Sequence, residues 1–365
     1  MRKSLLAFLV LVFSSVVSMG LAHGGAGLMA EYDSNVFGDY WGGGGLNGTV
    51  YLDMEFDKDL GFGGLVLGAD YKGDFSTYLQ YRDINQSDHD LRLLLWKKAG
   101  QHGFLAGGAG MEYGINGAGR RYYDNRFTYG VVEGKGYVLP GLLARFSAAY
   151  GTQAYPNLPE YDCRRFSGEL SATAFLPSRT SVSVGGNARW YGYAPGADSL
   201  TVPGSITHLE PGIRLTQTLT PGLGLAVEYF GSINRVAGAG ALYQPDTLMA
   251  RVNEYSDYRG GVSGAKLTGR IHDITATARA GYQLRDYVSL MAFALPQTDT
   301  SSLAARQATG SLRRDRVTTL GLEVRFPLPL AVQAKAGLEY IDHGSNDALF
   351  NYYRTIISAG LEYAF

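Results

Sequence analysis

The final residues, 350–365, set the tightest limit on what this chain can fold into. Taken in twos, Tyr353, Thr355, Ile357, Ala359, Leu361, Tyr363 and Phe365 fall on one face, and Arg354, Ser358, Gly360 and Glu362 on the other. Strand side chains alternate faces with a period of two, so this run predicts a strand with one continuous apolar face. Strands of soluble proteins usually end after ~5–6 residues; this pattern runs on to the ~9–11 that a tilted strand needs to cross a bilayer. The segment before it repeats the pattern. Val332, Ala334, Ala336, Leu338 and Tyr340 oppose Gln333, Lys335, Gly337 and Glu339. Before that, Leu320, Leu322, Val324 and Phe326 oppose Thr319, Gly321, Glu323 and Arg325.

Further back, compatible segments lie at 273–285, 259–271, 222–234, 205–219, 179–192, 162–176, 141–152, 125–135, 102–114, 89–98, 61–72, 44–56 and 25–34. With the last three they make sixteen strands, and one misread hairpin would give fourteen or eighteen. Short connections (57–60, 99–101, 136–140, 177–178, 220–221, 272, 327–329) alternate with long ones (35–43, 73–88, 115–124, 153–161, 193–204, 235–258, 286–312, 342–349). That is the alternation of periplasmic turns and extracellular loops in a transmembrane antiparallel up-and-down β-barrel. The fold class is all-β, as a single domain over residues 23–365.

Composition agrees. Glycine is 50 of 365 residues, charged residues are 18%, and there are 26 tyrosines and 12 prolines. Half of each barrel strand faces lipid and half a lumen, which holds mean hydropathy near zero, here −0.08. The chain opens with Arg2 and Lys3, an apolar run over Leu5–Val17 and small residues at Gly20 and Ala22. These predict an export signal over residues 1–22, cleaved after Ala22. The run is too short for a spanning helix. The single cysteine, Cys163, rules out an internal disulfide and a cysteine-based metal site. A net charge of −1 argues against nucleic acid as a partner.

The ending Tyr363-Ala364-Phe365 resembles the C-terminal signature of bacterial outer-membrane β-barrel proteins. In that group a terminal Phe, with aromatic or aliphatic residues at every second position before it, is read by the barrel-assembly machinery. The resemblance therefore implies an outer-membrane location, with Tyr363 and Phe365 as the assembly signal and lipid as surroundings. The stretches Glu31–Val36, Leu312–Arg316 and Asn351–Arg354 resemble the barrel ends of exporters that carry periplasmic helical repeats. This chain departs from those by having no helical-repeat region.

If the alternation holds, the lumen-facing residues can be named. Asp53, Glu55, Asp70, Asp90 and Glu112, with Lys72 and Arg92, make an acidic wall, and Arg126, Arg145, Arg165 and Arg189, with Glu169, a basic one. The remainder include Arg214, Lys266, Arg279, Arg325, Lys335, Arg354, Glu228, Glu323, Glu339 and Glu362. Opposed walls of charge set up a transverse field in a water-filled lumen. A barrel of this size is generally too wide for side chains to fill. Loop 286–312 is long enough to fold inward and narrow it. Tyr113, Tyr150, Trp190, Tyr229, Tyr282, Tyr340, Tyr353 and Phe365 fall near strand ends on the lipid face, as girdle aromatics do.

Catalytic chemistry has little to stand on. Asp88-His89-Asp90 and Asp342-His343 place acid beside imidazole, but neighbours on a strand point to opposite faces. No G-x-S-x-G motif is present. Residues Asp83–Asp88 begin like a calcium loop but lack its central Gly and closing Glu. The sequence thus predicts no enzyme, no cofactor and no metal. It predicts a porin-like channel for passive diffusion of small hydrophilic solutes. The alternative is a barrel serving as scaffold or conduit for a periplasmic partner in an export, polysaccharide-secretion or electron-transfer complex.

Overall fold

A computed structural model describes residues 22–36, 38, 42–100, 102–194, 204–237, 257–294 and 307–365. The expected export signal lies outside them, apart from Ala22, which opens the first strand.

Sixteen antiparallel strands follow in chain order: β1 (Ala22–Asp33), β2 (Gly45–Asp59), β3 (Leu65–Tyr78), β4 (Gln86–Ala99), β5 (Gly103–Asn116), β6 (Asn125–Leu139), β7 (Leu142–Ala154), β8 (Cys163–Phe175), β9 (Thr180–Tyr193), β10 (Ser205–Thr220), β11 (Leu223–Ala237), β12 (Tyr258–Ile271), β13 (Ile274–Ala294), β14 (Gln307–Pro327), β15 (Val332–Ser345) and β16 (Tyr352–Ala364). Each pairs with its sequence neighbours, and β1 pairs with β16, closing the barrel. Closure leaves no unpaired edge, which hydrocarbon would not tolerate. The expected strand number and order are both observed.

The register explains which face is which. Directly paired residues share a face, so one face can be followed strand to strand around the barrel. Starting from Asp53, it passes through Lys72, Asp90, Glu112 and Phe127, and returns through Glu362 and Gly27 to Tyr51. The opposite face carries the exposed aliphatics, among them Leu28, Val50, Leu93, Leu105, Val132, Leu170, Val184, Leu320 and Ile357. Ordinarily, large exposed apolar surface on a monomer marks an interaction site; here it girdles the whole barrel and is the lipid face.

The two ends differ. At one end the turns are short, and β12 and β13 are joined by His272 and Asp273 alone, with His272 at φ 54°. A two-residue hairpin needs such left-handed backbone. This end also holds both termini of the barrel: Gly24 and Phe365 exchange N–H···O bonds of 2.9 and 3.0 Å. It is the periplasmic end. The opposite end carries the longer connections, with 3-10 turns at Arg82–Ile84, Ala118–Tyr123, Pro159–Tyr161 and Ala348–Phe350. One expectation is corrected there. Residues 286–294 and 307–312 are extensions of β13 and β14, each 21 residues long, while the rest of the expected inward-folding loop, 295–306, lies outside the described residues. Their ladder is irregular between Asp286 and Met291, yet it re-forms at Phe293↔Ala308.

Candidate functional site

The site is the inner wall. Asp53, Glu55, Asp70 and Glu112 lie on the inner face of β2, β3 and β5, as expected, and Arg145, Arg165 and Arg189 on that of β7, β8 and β9. Arg126 does not. It pairs with Tyr113, on the lipid side of β5, while its neighbour Phe127 points inward and is 1% exposed. The reason is that β6 carries apolar residues on both faces: Phe127, Tyr129 and Val131 face inward and form a small core with Leu94. There, apolar character does not mark the lipid side, and the charge on Arg126 does not mark the lumen. The expected girdle aromatics from Tyr113 to Tyr353 do fall on the outer face, but Tyr229 and Tyr282 sit at mid-strand and not near strand ends, because β11 and β13 run on past them toward the extracellular side. The ring of Tyr363, also on the outer face, lies 6.0 Å from that of Phe365.

The inner charges are mostly paired. Arg92 binds Asp70 at 3.1 Å and reaches Asp90 and Glu133 at 3.9 and 3.8 Å. Lys72 lies 3.6 Å from Asp53, and His23 3.1 Å from Glu55. Glu210 accepts from His208 and Arg189 at 3.0 and 3.5 Å, and Arg214 donates to Glu228 at 2.7 Å. Near the seam, Arg325 and Lys335 share Glu323 and Glu362 over 2.8–4.0 Å. Arg279 of β13 binds Glu339 of β15 at 2.6 Å.

Arg165 on β8 donates to Glu112 on β5 at 3.0 Å, across two intervening strands. Neighbouring strands are ~4.8 Å apart, so the pair spans a chord that only the concave side of a curved sheet provides. Its guanidinium also lies 4.4 Å over the Phe127 ring, which stacks on Tyr129 at 4.7 Å, and the Tyr129 hydroxyl donates to Asp90 at 3.1 Å. Side chains of β4–β8 therefore build a packed shoulder that projects into the lumen. A second shoulder stands on β12–β14. There Tyr258, Tyr287 and Leu290 pack together, and Arg313 and Asp315, each 1% exposed, form a bond of 2.6 Å. Arg313 is sandwiched between Tyr287 and Phe350, 4.8 and 3.4 Å from the ring centres. In a ring of sixteen strands, β5 lies opposite β13, so the two shoulders face one another. Among the described residues, the wall itself narrows the lumen at these two shoulders.

Some inner-wall residues escaped the sequence reading. Asp74 and Asp88 pair directly across β3 and β4, within the expected loop 73–88; the run Asp74-Phe75-Ser76 continues the alternation and is the signal that extends the strand. Glu133 and Lys135 sit on the inner face of β6. The expected acid wall is thus stronger than read, and the basic wall, without Arg126, is mixed. A concavity of about 440 Å³ opens along the acid wall, bordered by Asp53, Lys72, Asp74, Asp88, Asp90 and Glu112.

The His–Asp pairs do not form dyads. Asp88 faces the lumen while His89 faces out, bonded to Tyr71 Oη at 2.9 Å. His343 faces in and stacks on Tyr352 at 4.8 Å, while Asp342 faces out. Cys163 is buried on the inner face opposite Gln153.

No family model and no curated protein matches the sequence. Solved structures do match in fold. The chain is similar to OccAB1 of Acinetobacter baumannii (TM-score 0.53, 10% identity, covering 94% of this chain and 97% of that one). It is similar also to OpdL of Pseudomonas aeruginosa (0.51, 12%, 94% and 98%) and to a bacterial polysaccharide outer membrane secretin (0.50, 10%, 94% and 98%). Closed sixteen-strand barrel, lipid-exposed apolar girdle and this structural kinship agree: the chain has the fold of the porin-like bacterial outer-membrane β-barrels, and its place is the bacterial outer membrane.

Proposed function

We propose that the protein is a porin-like channel through which small hydrophilic solutes diffuse passively. The observation that carries this reading is a set of inner-wall charges with no ionic partner within 4.0 Å among the described residues. They are Lys135, Arg145 and Lys266 on one side of the balance, Asp74 and Glu169 on the other. A charge facing an interior without a partner is expensive unless water solvates it. Lys135 and Arg145 sit directly opposite one another as like charges, which a filled, dry interior would penalise further. The reading is therefore of a wet path between the two shoulders. Its residues are those expected from sequence, Asp53, Glu55, Asp70, Glu112, Arg145, Arg165, Arg189 and Lys266, with Asp74 and Lys135 added. Tyr363 and Phe365 serve as the signal to the barrel-assembly machinery.

The second reading, a conduit for a periplasmic partner, draws on the similarity to the polysaccharide secretin. Single-channel recording of the signal-free protein, refolded into a planar bilayer, separates the two. Stable steps support free diffusion. Silence from protein shown to be folded overturns it and favours a barrel that works only with its partner in place.

A further inference from the structure

Between its two rims the lipid face carries no Asp, Glu, Lys or Arg among the described residues. At the extracellular rim it carries a cluster. Arg235 (β11), Arg259 (β12), Arg314 and Arg316 (β14) all point outward and are exposed. Register places them side by side: Arg259 lies opposite Ile233, two residues from Arg235, and opposite Asp286, which in turn lies opposite Arg314. Arg316 is two residues further down β14, opposite Leu284. Three strand spacings make the patch about 14 Å wide. Asp286 is bonded to Arg314. Arg235, Arg259 and Arg316 have no acidic partner within 4.0 Å among the described residues, although Asp342 stands exposed on the adjoining β15, opposite Thr318.

We infer that this patch binds the phosphate groups of a phosphorylated glycolipid in the outer leaflet. Two features select that occupant. Guanidinium groups match phosphate oxygens in pairs, and several arginines around one anion relieve their mutual repulsion. Immediately below the arginines the wall is apolar and exposed, with Tyr229, Tyr282 and Leu320 on the same strands. A ligand seated here has its anionic head at the rim and its tails on those side chains, which is the build of a membrane lipid and not of a soluble protein. The cluster is confined to one arc. Elsewhere at that rim, among the described strand residues, the outward cations are Arg126 on β6 and Arg164 on β8, each alone on its strand.

The test uses the full barrel in detergent with bis-phosphorylated lipid A as probe, read by native mass spectrometry. The Arg235→Gln/Arg259→Gln/Arg316→Gln triple is expected to weaken retention at least tenfold, and the corresponding triple Lys variant to keep most of it. The Arg126→Gln/Arg164→Gln pair is expected to change it less than twofold. On the unmodified protein, lipid A stripped of phosphate should bind at least tenfold more weakly, which tests the idea even should the triple variant fail to fold. Equal retention of the phosphate-free lipid, or an unchanged Gln triple, overturns the proposal. So does displacement by millimolar inorganic phosphate, which would mark a free-anion site, or an equal loss in the Arg126/Arg164 pair, which would mark diffuse charge. None of these readouts depends on whether the lumen conducts.

Discussion

Arg165 and Glu112 stand three strands apart yet meet at 3.0 Å inside the barrel, with the Phe127 ring held beneath the guanidinium. The pair ties β8 to β5 through the lumen and holds the inner shoulder in place. Arg165→Ala should loosen that shoulder. Glu112 is 39% exposed, so solvent screens the loss, and a stability cost of about 1 kcal/mol is expected. The larger effect should be on conductance, which rises as Phe127 and Tyr129 lose their cover. Denaturant unfolding and single-channel recording on the same preparation check both.

The seam tells a different energetic story. Arg354 of β16 donates through Nε to Asp33 of β1 at 2.9 Å and through a second nitrogen to the same carboxylate, whose side chain is 1% exposed. Asp33 also accepts from the Asn35 N–H at 2.9 Å. Arg354→Ala strands a buried carboxylate at the point where the barrel closes, and about 3 kcal/mol of stability should go with it. Heat-modifiable migration on gels should fall to a lower transition temperature. Adding Asp33→Asn should recover part of the loss, because the stranded charge is then gone.

Both residues of that pair lie in stretches whose resemblance to exporter barrels was visible in the sequence, and so do Arg313 and Asp315 of the second shoulder. The strand count and the closed topology were legible because lipid imposes one rule on every strand: an apolar outer face repeated at period two. The inner face obeys no such rule. Water, ion pairs and packed rings are all admissible there, so Arg126 reads as luminal although its neighbours Phe127 and Tyr129 hold the inner face. Strand ends were short by several residues at β3, β13 and β14, since above the lipid the outer face no longer needs to be apolar and the alternation fades. Which charges pair could not be read at all: Arg165 with Glu112 and Arg279 with Glu339 both skip strands, and sequence spacing carries nothing about a chord through the barrel.

The opposite facing of Arg126 and Arg145 can be tested directly. Arg145 lies on the inner wall without an ionic partner among the described residues, opposite Lys135, whereas Arg126 sits on the outer face at the rim. Arg145→Glu should move the reversal potential toward cation preference, on the order of twofold in permeability ratio. Arg126→Glu should leave it unchanged, although it alters net charge by the same amount. A similar shift from both would mean that the channel senses the rim and not the wall.

Gly110 offers a steric handle on the shoulder. A Cβ placed there would lie 2.4 Å from the Tyr129 ring, so the ring lies flat on β5 only because position 110 has no side chain. Gly110→Val should lift Tyr129 away from the wall, breaking its bond to Asp90 and its stack on Phe127. Overpacking of this kind costs about 1–3 kcal/mol, and the displaced ring would enter the lumen and lower conductance. Removing the ring should undo the clash: Gly110→Val/Tyr129→Ala should conduct more than Gly110→Val, and its stability should exceed the sum of the single effects. Strict additivity in that double-mutant cycle would show that the two positions do not touch, and the packed shoulder would have to be redrawn.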